Sequence, residues 1–150
     1  MEVRSIETIV KALKRAKAQY LIGGGVAVVA HGYERFTKGL DLVIGLERKN
    51  ILRGLRALLA IGYQMRIPVT REQFADPVLR ESWRREKNMV VLQLWSDAHR
   101  RALRVPICGK VTAAIVGYEA LLKLKKSAGR SQDLLDVEKL RNLNSHRKKP

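Results

Sequence analysis

Ile6, Ile9, Val10, Leu13 and Ala16 recur at helical spacing behind Ser5, a residue suited to capping, and predict a helix over 5–18. Apolar residues then form a short strand at 20–23, broken by the run Gly23-Gly24-Gly25. A small-residue helix follows over 26–31, and Leu40-Asp41-Leu42-Val43-Ile44 reads as a strand between Gly39 and Gly45. Ile51, Leu52, Leu55, Leu58 and Leu59 give 50–60 an apolar helical face, with Gly62 as its stop. Residues 63–67 read as another strand, ended by Pro68.

Thr70 and Gln73 stand three apart, as in a capping box that opens a short helix. Pro77 suits the first position of a further helix through Trp83. Strands are expected over 89–95, 103–107 and 111–116, the last two around Cys108-Gly109-Lys110. Two helices close the chain, over 118–126 and over 131–143, the second with Ser131 as its cap. The basic tail, about 145–150, is expected to fray. No repeat, low-complexity linker or break in composition divides the chain, so a single α/β domain over 1–150 is the expectation.

Composition narrows the class. A hydrophobic fraction of 46% over 150 residues supports one buried core and argues against disorder. The single cysteine, Cys108, excludes an internal disulfide framework and suits a reducing compartment. No apolar run approaches the roughly 20 residues of a membrane span, and the N-terminus has no apolar signal core. A cytoplasmic protein without a membrane partner is expected. The net charge of +16 attracts polyanions, nucleic acid foremost, though a generally solvated basic surface accounts for it as well. Aromatics at 5% disfavour a single-strand binder built on stacking.

The stretch Leu21-Ile22-Gly23-Gly24-Gly25-Val26-Ala27, followed by Arg35, Thr37 and Leu40-Asp41-Leu42, resembles the opening motif of the nucleotidyltransferase superfamily, and most closely its minimal and AbiEii-type toxin members. A second block, Leu121 to Asp136, is similar to that family's closing helix pair through its Lys, Gly-Arg and Asp-x-x-Asp elements. The two blocks bracket 21–136, most of the chain. The resemblance implies a short mixed sheet with helices packed on it. It implies a nucleoside triphosphate held with Mg²⁺, and transfer of a nucleotidyl group to a hydroxyl of RNA (tRNA) or protein. It also implies a toxin–antitoxin setting, with an antitoxin protein as partner. Asp41 would be the metal ligand and, with Lys125, a catalytic residue; Gly24, Gly25, Arg35, Thr37 and Arg130 would hold the nucleotide.

The chain departs from that pattern in its carboxylates. Gly39 stands where the first strand acid belongs, and the strand at 89–95 carries only Gln93 where a third acid would come. Asp97 is the only carboxylate between Trp95 and Tyr118. Two-metal phosphoryl transfer needs those acids to set both ions, so impaired catalysis is expected.

Each of these residues also has a plainer reading. The glycines would serve a tight strand-to-helix turn, Asp41 would face solvent from a strand edge, and Arg35 and Thr37 would be ordinary loop residues. Lys125 and Arg130 would complement a helix dipole; Asp133 and Asp136 sit in the first turns of the last helix for the same reason, with Asp136 spaced towards Lys139. A Lys125–Asp133 pair fits either view. His31 reads as a satisfied structural histidine, and Trp83, Trp95 and Phe74 as core or interface aromatics. Cys108 lacks the setting of a nucleophile, and His99 and His146 lack partners at metal-ligand spacing. The alternative to an enzyme is a non-enzymatic descendant of the fold that binds RNA or a protein.

Overall fold

The computed structural model describes residues 3–37, 39–87, 89, 92, 94–95 and 115–147. The fold is mixed α/β and mostly helical, with seven helices among the described residues. No helix there is long and apolar enough to cross a membrane. The expected strands at 103–107 and over most of 111–116, together with Gln93, Asp97, His99 and Cys108, lie outside the described residues. Contacts gather the chain into two compact units: 1–20 with 44–111, and 21–43 with 112–150.

The first unit is built on α1 (Val3–Arg15) and α3 (Arg48–Ala60). Ile9, Val10 and Leu13 of α1 are buried, as the helical spacing predicts, and so are Ile51, Leu55 and Leu58 of α3. Ile51 and Leu55 form a cluster with Ala75, covered by Met65, Phe74, Leu92 and Leu94. Asn50 is fully buried in this apolar setting because every polar atom of its amide is used. Its Oδ1 accepts from the Gln19 N–H at 2.7 Å, and its Nδ2 donates to the carbonyls of Gln19 and Gly45 at 3.0 and 2.9 Å. One side chain thereby ties together two loops that are remote in sequence.

Short elements complete this unit. β3 (Gln64–Met65) pairs antiparallel with β4 (Leu94–Trp95). Thr70 and Gln73 form the capping box the sequence predicts, at 3.1 and 2.9 Å, and open α4 (Arg71–Ala75). Pro77 begins α5 (Pro77–Lys87), and the Asp76 carboxylate caps it by accepting from the N–H groups of Val78 and Leu79. Phe74 packs on the cluster beneath the Arg80 guanidinium.

The second unit holds the start of the expected sheet. β1 (Tyr20–Ile22) pairs with β2 (Leu42–Ile44). The flanking bonds, Gly23 N–H to Asp41 O and Gly45 N–H to Gln19 O, run in opposite order and give the pair its antiparallel sense. Ile22 also bridges in parallel to Ile115. β2 is two residues shorter at its start than the sequence suggests, because Gly39 lies in a bend and Leu40 outside the ladder.

Helix α2 (Gly24–Ala30) follows β1 directly, and α6 (Tyr118–Ala128) and α7 (Ser131–Arg147) form a helical hairpin. Ala27, Val28, Val116, Leu121, Leu122, Val137 and Leu140 make its core. Gly129 ends α6 in the left-handed conformation, φ 63°, and its N–H returns to the Lys125 carbonyl. His31 Nε2 donates to the Val116 carbonyl at 2.9 Å and its ring meets Tyr118 edge-on, so it is the structural histidine expected.

Candidate functional site

α2 begins at Gly24, two residues earlier than the sequence suggests, and its first turn, directly after β1, is where most of the candidate residues meet, all within the second unit. Gly24 takes φ +56°, a conformation that an L side chain rarely adopts. A Cβ there would overlap the carboxylate of Asp41, whose own Cβ lies 2.8 Å from that position. A Cβ on Gly25 would fall 2.6 Å from Thr37 Oγ1 and 3.2 Å from Arg35 Nη2. The glycines therefore clear space that Asp41, Thr37 and Arg35 fill. Residues from two sequence stretches, 24–25 and 35–41, converge on one backbone turn.

Each of the three side chains is held differently. Thr37 Oγ1 donates to the Gly39 carbonyl at 3.0 Å, closing the loop on itself. Arg35 Nη1 donates to Asp136 Oδ2 at 2.6 Å, and its Nε reaches the Phe36 carbonyl. Asp41 is exposed, and its carboxylate has no hydrogen-bond or ion-pair partner among the described residues.

Behind Arg35 lies a compact charge network. Lys125 Nζ donates to Asp133 Oδ1 at 2.6 Å and sits 3.0 Å from Asp136 Oδ2. Gln132 Nε2 donates to Asp136 Oδ1 at 3.1 Å. Two cations and two anions thus balance, with Asp136 fully buried and Lys125 and Asp133 each 8% exposed. Burial pushes the Asp136 carboxyl up, but hydrogen bonds from Arg35, Lys125 and Gln132 outweigh it and hold the group below the ordinary carboxylate range.

Sequence reasoning paired Asp136 with the next turn of its own helix; the structure turns it inward to Arg35 and Lys125 instead. Buried carboxylates need charged partners, and the tertiary fold supplies two. The Lys125–Asp133 pair is present. Arg130 is exposed ahead of α7, where its carbonyl accepts from the Leu134 N–H, and no described contact joins its side chain to the turn. No protein-family model, curated protein or solved structure matches the chain. The buried Asn50 went unnoticed in the sequence, where a lone Asn on the inner face of an apolar helix was its only signal.

The donor set bears on Mg²⁺. The described residues contain no group of three metal-ligating side chains. Asp133 and Asp136 are engaged by cations, which leaves Asp41 as the carboxylate at the turn with free lone pairs. One carboxylate suits an ion that arrives with phosphate oxygens and water as its other ligands, and does not suit a resident two-ion centre.

Proposed function

We propose that the second unit is a nucleotidyltransferase-like site that binds a nucleoside triphosphate with Mg²⁺ and transfers nucleotidyl groups poorly. The observation that carries this reading is the meeting of Gly24, Gly25, Arg35, Thr37 and Asp41 at one turn. Glycines admit phosphate oxygens close to the backbone, a guanidinium offers a planar fork to them, and a carboxylate holds the accompanying cation. The antiparallel β1–β2 pair, with its glycine turn and following short helix, supports the family reading of the fold.

The same arrangement argues against efficient transfer. In such a reaction an acceptor hydroxyl of RNA or protein attacks the α-phosphorus, pyrophosphate leaves, and the hydroxyl proton must go to a base. Asp41 is the carboxylate the described residues bring to the turn, and it cannot both hold the ion and take that proton. Lys125 is already enclosed by Asp133 and Asp136, so its part is to anchor Arg35's partner rather than to meet phosphate.

Calorimetric titration with ATP, GTP, CTP and UTP in Mg²⁺ tests the reading. Binding should weaken sharply in Gly25→Val, whose side chain would strike Thr37 and Arg35. If no nucleotide binds below millimolar concentration, or if Gly25→Val binds as well as the natural chain, the assignment fails.

A further inference from the structure

The positive charge is unevenly shared. The first unit holds 19 Lys and Arg against 8 Asp and Glu, and the second 11 against 6. The candidate triphosphate turn thus lies in the less charged unit, and does not account for the excess.

Among the described residues, four cations of the first unit are paired with carboxylates, and a fifth turns inward. Lys11 pairs with Glu7, and Arg71 with Glu72. Arg84 and Arg85 share Glu81, and their hydrogen bonds pull its carboxyl down to about 2. Arg80 turns inward to the Phe74 carbonyl and ring.

Helix α3 gathers three cations that have no such partner. Lys49, Arg53 and Arg56 are spaced by four and three residues, which puts them in one stripe along the helix. All three are exposed, and no carboxylate among the described residues forms an ion pair with them. Arg53 reaches the amide oxygen of Asn50, at 3.5 Å, and Glu72, which feels Arg56 through space, is hydrogen-bonded to Arg71. The opposite face of the helix is fixed by buried Ile51, Leu55 and Leu58. The stripe is therefore carried on a rigid support, and Lys49 to Arg56 spans about 10 Å of helix rise.

We propose that this face of α3 docks the sugar–phosphate backbone of double-stranded nucleic acid, with Lys49, Arg53 and Arg56 each meeting a phosphate. The chemistry selects this occupant. A lipid surface calls for exposed apolar side chains beside the cations, and α3 has none among the exposed large apolar residues. Single strands call for aromatic platforms, and α3 carries no aromatic residue. Two of the three cations are arginines, whose planar fork suits phosphate oxygens. The inference rests on the first unit alone and goes beyond the triphosphate reading.

The test is fluorescence anisotropy of the full chain with a labelled duplex of about two helical turns, made once in DNA and once in RNA, across a salt series. The variant Lys49→Gln/Arg53→Gln/Arg56→Gln should bind at least about tenfold more weakly at low salt. The slope of log affinity against log salt should fall by about 2.7, close to 0.9 for each phosphate no longer neutralised. Lys123→Gln/Lys126→Gln/Lys139→Gln removes the same charge from the second unit and should change the slope by less than about one. Arg56→Glu, a single surface change, should weaken binding in the same direction and covers the case of a triple variant that folds poorly. Equal losses in the two triple variants would show diffuse charge and overturn the proposal. So would an unchanged first triple, or binding to phosphatidylserine–phosphatidylcholine vesicles or an acidic peptide without binding to either duplex. Nucleotide titration of the first triple should match the natural chain, which keeps this outcome separate from that of the Gly24–Gly25 turn.

Discussion

Arg35 Nη1 and Asp136 Oδ2 meet at 2.6 Å across 101 residues of chain, joining the loop before β2 to the last helix. The bond has two ends with different surroundings. Asp136 is fully buried and receives Lys125 and Gln132 as well, whereas Arg35 is partly exposed and keeps its other nitrogen, Nη2, near Gly25. A fixed carboxylate thus holds a guanidinium at the turn, and the loop between α2 and β2 is pinned by its most basic residue. The pair belongs to the scaffold and to the candidate site at once.

Breaking the network from the buried side should be costly. Asp136→Asn keeps the shape but leaves Arg35 without its anion and Lys125 with one carboxylate, so the expected loss is about 3–5 kcal/mol, as for other buried pairs that lose one partner. Asp133→Asn should cost less, because Lys125 keeps Asp136. Urea unfolding of the three chains measures both; equal losses would mean that Asp136 is no more central than Asp133.

The same residue sets an acid limit. Its folded pKa is held below the ordinary carboxylate value, so the ionised form stabilises the fold at pH above about 4. That contribution drains away as pH falls below about 4 and through the lowered pKa, where the network takes up a proton. Urea midpoints between pH 7 and acid should fall over this window in the natural chain. Asp136→Asn should flatten that fall; an unaltered profile would assign the acid sensitivity to other carboxylates.

Gly24 should tolerate no side chain. Alanine there meets both a left-handed backbone, worth about 1–2 kcal/mol of strain, and the Asp41 carboxylate in the same space. Gly24→Ala is expected to destabilise the second unit by at least that strain and to displace Asp41. Gly24→Ala/Asp41→Ala removes the carboxylate but keeps the residue 41 Cβ at 2.8 Å, so it should recover only the carboxylate's share of the steric loss and keep the backbone part. Thermal melts of the two variants separate the terms; identical melts would show that Asp41 does not press on residue 24.

Spacing signals are legible in the sequence and tertiary ones are not, while two expected caps fail: Ser5 lies inside α1, and Ser131 is the first residue of α7, with Arg130 at the cap position. The α1 and α3 faces, the Thr70–Gln73 box and Pro77 at a helix start all follow from spacing and backbone chemistry, and each lies where the pattern puts it, whereas Gly24 and Gly25 open α2 instead of preceding it. Asn50 and Asp136 were missed or misassigned because their partners lie 31 and 101 residues away, and no periodicity encodes such distances. The start of β2 was placed too early because Leu40 continues the apolar run, yet the ladder to β1 begins only at Leu42. For the site, the glycines and their three neighbours were legible as a motif. That Arg35 depends on α7 was visible only in the fold.

The sharpest test of the proposed function concerns Gly39, where the resemblance leads one to expect a carboxylate. Because β2 begins at Leu42, strand alternation does not fix the direction of residue 39, and its neighbourhood has to be judged directly. A Cβ there meets nothing within 4 Å, so aspartate fits without displacing any described group. Asp41 lies two residues on, at the Gly24 turn. A second carboxylate beside it would give an arriving Mg²⁺ two anionic ligands, and each ~1.4 kcal/mol gained in the transition state is a tenfold gain in rate. Gly39→Asp should therefore raise the Mg²⁺ dependence of nucleotide affinity and increase transfer of labelled nucleotide to tRNA from a near-background level. Asp41→Ala should remove the Mg²⁺ dependence altogether. Calorimetry with and without Mg²⁺, run beside the transfer assay on all three chains, reads both effects. Strong transfer by the natural chain that survives Asp41→Ala would move the chemistry away from this turn. An unchanged Gly39→Asp would show that residue 39 does not face the ion, and that the resemblance to the family's paired acids ends at Asp41.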